Sequence, residues 1–446
     1  MKRILFRSLS LGWLLVAALV VLGALLVSLS RVAMPLANNY RAQISEQVSD
    51  LVGKPIQIGH IDVSWEGTRP LIRLTDVTLL NPETQTAILG FKQMNLTLNL
   101  WRSLRQLKLT LENLTLKGTA IELTRTRDGA LLIRGFENAG EHARSFSAAS
   151  LETLAGSSFH LEEAALKFND VVLDVHYEAR IQQMDIQIGR RSVALDSELD
   201  LPDSLGESIR LIVRADGPLS DVASWRAKFY LAGKDINLNG VEAFWPKAIP
   251  KASAGALNLE LWGRWLPLPG LDVSGDISLL NVRLNGPDAV GGGPHFALLD
   301  EFSGRFHATG KLSKWHLDMD RVGVKTRERH WPDIAFSLAV SPWDDGSRFD
   351  ADLDFADIGS LLSLIELSPS LPAGPLATLQ QLQLDGELKQ LRFSLRGGSQ
   401  TPGYRMRAEV DQLSWLAGQK IPGVNGLQGH FSLDERGGYA ELESEG

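Results

Sequence analysis

Asp350, Asp352 and Asp354 are the densest run of potential metal ligands in the chain. Closely spaced carboxylates suit calcium, a hard cation that takes about six to eight oxygen ligands. Here they alternate with Phe349, Ala351, Leu353 and Phe355, so the run reads as a strand with its carboxylates on one solvated face. The nine histidines are dispersed, and none has a second histidine at metal-ligand spacing. Gly291 to Phe296, GGGPHF, has the glycines of a phosphate cradle, but with no strand before it and no helix after it the stretch reads as a loop. No H-E-x-x-H, G-x-S-x-G, Walker loop or convincing G-x-G-x-x-G occurs. The absence of cysteine removes disulfides, thiolate nucleophiles, zinc–thiolate sites and iron–sulfur clusters, and fits an oxidising compartment. The expectation is a protein that is not an enzyme, with no catalytic residue, metal or cofactor.

The elements that position the remaining residues are read from charge and periodicity. With 446 residues and 44% hydrophobic content, the chain has ample material for a core. A net charge of -8 and scattered cations disfavour nucleic acid, whose binders concentrate basic residues in a patch. From Leu9 through Trp13 to Leu29 there is no charged residue, a run long enough as a helix to cross a bilayer core of about 30 Å. Lys2, Arg3 and Arg7 precede it and only Arg31 follows closely, which places the N-terminus in the cytoplasm and the bulk of the chain outside. The rival is a cleaved signal peptide with Ser28 and Ser30 at the cleavage site, but the apolar run exceeds the usual h-region of about 7 to 15 residues. Residues 1–31 are therefore expected to be a tail and a transmembrane anchor.

In residues 32–54, Leu36, Tyr40, Ile44, Val48 and Leu51 recur every three or four positions, Pro35 suits a first turn, and Gly53 with Pro55 marks a stop. This predicts a short amphipathic helix that caps a sheet. From Ile56 onward the period is two, as in Ile56/Ile58, Ile61/Val63/Trp65, Ile72/Leu74, Val77/Leu79, Met94/Leu96/Leu98/Leu100, Leu107/Leu109/Leu111, Val171/Leu173/Val175/Tyr177 and Leu257/Leu259/Leu261. Short turns such as Arg127-Asp128-Gly129, Asp344-Asp345-Gly346 and Arg436-Gly437-Gly438 suit consecutive antiparallel hairpins. No clean linker divides 55–446, His142 to Ser158 being the best candidate. Phe244 to Gly263 and Leu367 to Gly386 share a scheme of proline-interrupted loop, alternating strand and glycine. Roughly 25 strand candidates at ~4.8 Å would make one continuous sheet on the order of 100 Å long. Trp65, Trp101, Trp225, Trp262 and Trp315 suit a sheet margin or a core as well as a groove, and the sequons at Asn95 and Asn113 fall on strands.

The order of basic tail, anchor, amphipathic helix, GKPIQIGHIDVSW and LTDVTLLNP, with LNLWRSL from Leu98, resembles the N-terminus of the AsmA-like superfamily. LPAGPLATLQQLQLDGELKQLRFSL from Leu371 and YRMRAEVDQLSWLAGQKIPGVNGLQGHFSLDERGG from Tyr404 are similar to repeats of its very large bacterial members. The likeness runs over essentially the whole chain and is to the N-terminal portion of those longer proteins. It implies a mainly β fold: an elongated antiparallel sheet, folded lengthwise over 55–446 into an open hydrophobic groove that continues beyond this chain. It implies lipid transport in outer-membrane biogenesis, with the protein anchored in the inner membrane and crossing the periplasm. The implied partners are phospholipids, the inner membrane, and the outer membrane or other envelope proteins. Groove-lining candidates are Ile61, Val63, Leu96, Leu98, Leu100, Leu107, Leu109, Leu111, Leu257, Leu259 and Leu261. Alternation by itself equally fits a membrane-tethered scaffold or envelope assembly factor with an ordinary packed β core.

Overall fold

A computed structural model describes residues 55–66, 69–81, 85–99, 111–127, 131–133, 155–221, 224–244, 251–267, 270–286, 296–311, 313–327, 329–343, 346–367, 382–397, 403–417 and 422–444, with isolated positions between 45 and 105. The expected anchor, Leu9 to Leu29 with Trp13, lies outside the described residues, and no described helix is long and apolar enough to cross a membrane. Of the expected capping helix, Ser45, Glu46 and Ser49 are described and helical. The backbone N–H of Ile56 donates to Ser49 Oγ at 2.8 Å, which ties this turn to the first strand. The chain divides into two compact units, Met1–Arg190 and Arg191–Gly446.

The first unit contains β1 (Ile56–Glu66), β2 (Arg69–Leu80), β3 (Ala87–Leu98), β4 (Leu111–Arg125), β5 (Leu131–Ile133), β6 (Ser157–Asp170) and β7 (Val175–Ile188). Strands β1 to β4 are an antiparallel meander, and β5 folds back on the end of β4. The consecutive-hairpin expectation fails at the next step: β6 lies parallel to β4, with Leu116 opposite Leu161. Parallel neighbours need a long crossover, supplied here by residues 126–156. The alternation expected through Val171, Leu173, Val175 and Tyr177 also breaks, because residues 171–174 are a turn that leaves Val171 and Val172 exposed. Asp170 makes that turn: its buried carboxylate accepts from the backbone N–H groups of Val172 and Leu173 and from Arg125.

One irregularity crosses this whole sheet. Apolar positions step by three instead of two at Ile58/Ile61, Leu74/Val77, Phe91/Met94, Leu161/Ala164 and Ile181/Met184, and the strands pair so that these steps face one another. Facing strands each carry the extra residue, so the ladder skips a pair without a change of register, and Asp76, Gly118 and Glu163 take up the step at φ 53, 63 and 52. The buried residues sit along these steps: Ile58, Ile61, Leu74, Val77, Ala164 and Ile181 are at most 5% exposed. The same steps divide β1 and β2 into shorter alternating runs, and so the period-two reading counts more strands than the 20 named here.

The second unit contains β8 (Ser192–Asp200), β9 (Ser208–Asp216), β10 (Arg226–Asn237), β11 (Lys251–Trp265), β12 (Leu271–Asn285), β13 (Phe296–Lys311), β14 (Lys314–Lys325), β15 (Ile334–Trp343), β16 (Gly346–Asp357), helix α1 (Ile358–Glu366), β17 (Asp385–Gly397), β18 (Gly403–Trp415), β19 (Val424–Asp434) and β20 (Gly437–Ser444). Every strand pairs antiparallel with the next, and among the described residues no pairing joins β20 back to β8, so this sheet is open. Steps of three recur at Leu279/Val282, Met319/Val322, Leu388/Leu391 and Val410/Leu413, with Asn281, Arg321, Gln390 and Gln412 at positive φ. Again the core gathers at the bulges, where Val322, Ile334, Ala356, Leu388, Leu391 and Val410 form one buried cluster. Asp357 caps α1 by accepting from the Ser360 N–H at 2.8 Å, and Leu361 and Leu362 pack on this cluster. In the second sequence repeat, the described residues Leu382 to Leu384 are a turn, not part of a strand, and β17 begins at Asp385.

Candidate functional site

Among the described residues, those with metal-ligand chemistry do not converge. Asp350 is paired with Arg348 at 2.7 Å and Asp352 with Arg392 at 3.3 Å, on the strand face opposite Phe349 and Leu353. Gly291 to Pro294 and His295 lie outside the described residues, and Phe296 opens β13. Among the tryptophans, Trp225 Nε1 donates to the Pro218 carbonyl in a turn, Trp262 is exposed on the polar face, and Trp65 stands opposite Pro70.

What does converge is apolar. In the second unit, cross-strand neighbours form an unbroken row: Leu195, Val213, Phe229, Gly263, Val273, Ala308, Leu317, Leu338, Ala351, Phe393, Met406, Leu433 and Gly438. One residue from every strand from β8 to β20 takes part, and no member is polar. A parallel row runs through Leu211, Leu231, Leu261, Gly275, Phe306, Met319, Phe336 and Leu353. Antiparallel pairing aligns them because every strand keeps its apolar residues on one side of the pleat, and the bulges restore that side after each extra residue.

Most of the larger side chains in these rows are half-buried, and the described strands of the unit all belong to one sheet. Along β17 and β18 burial falls away from the bulges. Along β17 it passes from Leu388 and Leu391, both buried, through half-buried Phe393 to Leu395, which is 40% exposed. Along β18 it passes from buried Val410 and Ala408 through Met406 to Tyr404 at 42%. Trp265 and Leu271 are likewise exposed at that end of β11 and β12. Gly310 allows β13 and β14 to close up beneath Trp315: it has φ 126, and a Cβ there would stand 2.2 Å from the Lys314 carbonyl oxygen.

The candidate residues fall on these faces. Leu257, Leu259 and Leu261 are half-buried on the apolar face of β11. In the first unit Ile61 lies at the line of three-residue steps, while Val63 and Leu96 belong to a second row, Val63, Ile72, Leu96, Leu114, Phe159 and Ile186. Leu98 stands opposite Leu111. Leu100, Leu107 and Leu109 lie outside the described residues. Single-strand alternation missed Phe306, Phe336 and Leu338 as lining candidates, although each is apolar at period two within its own strand.

The reverse face is polar and laced with ion pairs. Asp272 accepts from Arg264 at 2.7 Å and interacts with His307 at 3.1 Å, and first Arg264, then His307, hold its carboxyl below the usual carboxylate value. A lowered folded value stabilises the fold above the unfolded value of about 3.9, and that contribution is lost as pH falls through the lowered value. Amide exchange around Arg264 and Asp272 should therefore quicken below about pH 4, and Asp272→Asn should remove that acid-dependent part.

A family model described as YhdP protein matches residues 1–446, the whole chain. The intermembrane phospholipid transporter YhdP of Escherichia coli (strain K12) is 23% identical over 444 residues, covering 93% of this chain and 32% of the transporter. The chain thus spans about a third of that relative's length.

Proposed function

Because the chain belongs to the YhdP family, we propose that it is a bridge-like conduit for phospholipid, anchored in the inner membrane by Leu9 to Leu29 and reaching through the periplasm toward the outer membrane. The single observation that carries the reading is the row of apolar residues that passes through every strand from β8 to β20 without a polar member. A two-tailed lipid in water exposes about 30 methylenes at roughly 0.8 kcal/mol each, a barrier of some tens of kcal/mol. An apolar trough open along one side removes most of that barrier, keeps the head group in water, and needs no catalytic residue. In this reading the bulges of the second unit would form the bottom of its trough and the half-buried rows the walls. The relative's name, a phospholipid transporter, supports the same cargo.

The test places a photocrosslinking amino acid at Leu259 or Leu98 in the full chain. Illumination should attach phospholipid at both positions, and the same group at Ser278 on the polar face should attach little. Equal labelling at all three, or none at the apolar pair, refutes the conduit.

A further inference from the structure

Like charges stand directly opposite one another at one end of the second unit's sheet. Arg214 faces Lys228, and Lys228 faces Arg264. Lys311 faces Lys314 across the β13–β14 turn, and Arg348 faces Arg396. Directly opposed like charges destabilise an antiparallel pair. Arg264, Arg348 and Arg396 each have one acidic partner, Asp272, Asp350 and Glu435. Among the described residues Arg214, Lys228, Lys311 and Lys314 have none, and all four are exposed.

These cations lie toward the strand ends farthest from the buried cluster, the ends at which β11, β12, β17 and β18 expose Trp265, Leu271, Leu395 and Tyr404. Neighbours along the chain point to opposite faces, so Arg264 adjoins exposed Trp265, Lys314 adjoins Trp315, and Arg396 adjoins exposed Leu395. At the opposite end Lys234 and Lys251 are neutralised by Glu207 and Glu242, Lys325 faces Glu301, and Arg283 lies over the Phe296 ring at 4.2 Å, so each of these cations meets an acid or a ring and not another cation. An amphiphile whose tails lie toward the bulges would bring its polar end to this rim, where exposed apolar and aromatic side chains of one face end beside cations of the other. Aromatic rings with Lys and Arg are the pairing that suits a lipid–water boundary, and a phosphate offers the missing counter-charge.

We infer that this rim, formed by the ends of β9 to β18 that carry Arg214, Lys228, Lys311 and Lys314, binds the phosphate of the lipid head group. The inference rests on the conduit reading, and it adds an orientation: tails toward the bulge line, phosphates along one edge. It also makes the cargo preference one for phosphate-bearing lipids over uncharged lipids with the same tails.

The full chain is loaded in detergent with fluorescent phosphatidylglycerol or with a diacylglycerol of identical tails, and the retained lipid is measured. The wild type should retain the phospholipid about tenfold better, since each Lys or Arg near an anionic surface contributes on the order of 1 kcal/mol. Arg214→Gln, Lys228→Gln, Lys311→Gln and Lys314→Gln together should bring the two lipids within about twofold, from loss of phospholipid alone. Substituting Lys234, Lys251, Lys325 and Arg327 by Gln removes equal charge at the other end and should leave the preference unchanged. A rim variant that keeps the tenfold preference, or a wild type that retains both lipids equally, overturns the rim assignment and leaves the conduit standing. A wild type that retains neither lipid defeats the conduit, and the rim with it. Inorganic phosphate alone is the third probe: binding that the rim variant loses, without any preference between the lipids, assigns the cations to free phosphate and also overturns the head-group role.

Discussion

Leu338→Asp should slow phospholipid passage about a hundredfold while the chain stays folded. Leu338 lies in the middle of the unbroken apolar row, between Leu317 on β14 and Ala351 on β16, and is half-buried. A carboxylate against hydrocarbon costs about 2.5 to 3.5 kcal/mol, and aspartate is too short to carry its charge out to water as lysine would. Before lipid arrives, the same carboxylate faces an open surface and stays hydrated. The folded chain then loses only the burial of half a leucine, about 1 kcal/mol. Lipid crosslinking from Leu317 and transfer of a fluorescent phospholipid between vesicles both read the effect. Leu338→Met should retain both signals. Global unfolding by Leu338→Asp would mean that the face is sealed, as the scaffold with a packed core requires.

The second large effect belongs to stability, not passage. Leu391→Ala should destabilise the β16–β18 region by about 2 to 5 kcal/mol, because the side chain is buried against the cluster around Val322 and Ala356 and its loss leaves a cavity. Four residues further along the same strand and on the same face, Leu395 is exposed, and Leu395→Ala should cost under about 1 kcal/mol. Hydrogen exchange of the full chain measures both: protection across β16 to β18 should fall by at least about thirtyfold for the first and change little for the second. Comparable losses would mean that burial does not fade toward the rim, and the open edge would go with that result.

Which side chains share a face was legible strand by strand. Leu257, Leu259 and Leu261 were readable because a pleated strand sends alternate residues to one face, a rule that needs no knowledge of neighbours. The same rule made Asp350, Asp352 and Asp354 a solvated face and not an ion site, and the structure gives Asp350 and Asp352 arginine partners there. It misread Val171 to Tyr177, where Asp170 captures two backbone N–H groups and turns the chain, since a single polar residue outweighs the alternation around it.

The sequence by itself determined that the chain is strand-rich, which side chains share a face within each strand, and where tight turns such as Arg436-Gly437 fall, because these follow from local backbone geometry. Only the tertiary structure decided the pairing. It set β6 parallel to β4, set the three-residue steps of neighbouring strands against one another, joined thirteen separate strand faces into one row, and gathered Arg214, Lys228, Lys311 and Lys314, dispersed along the chain, toward one rim. Those outcomes depend on register between residues far apart in the sequence, and a one-residue slip, which no single strand records, would send every side chain to the other face.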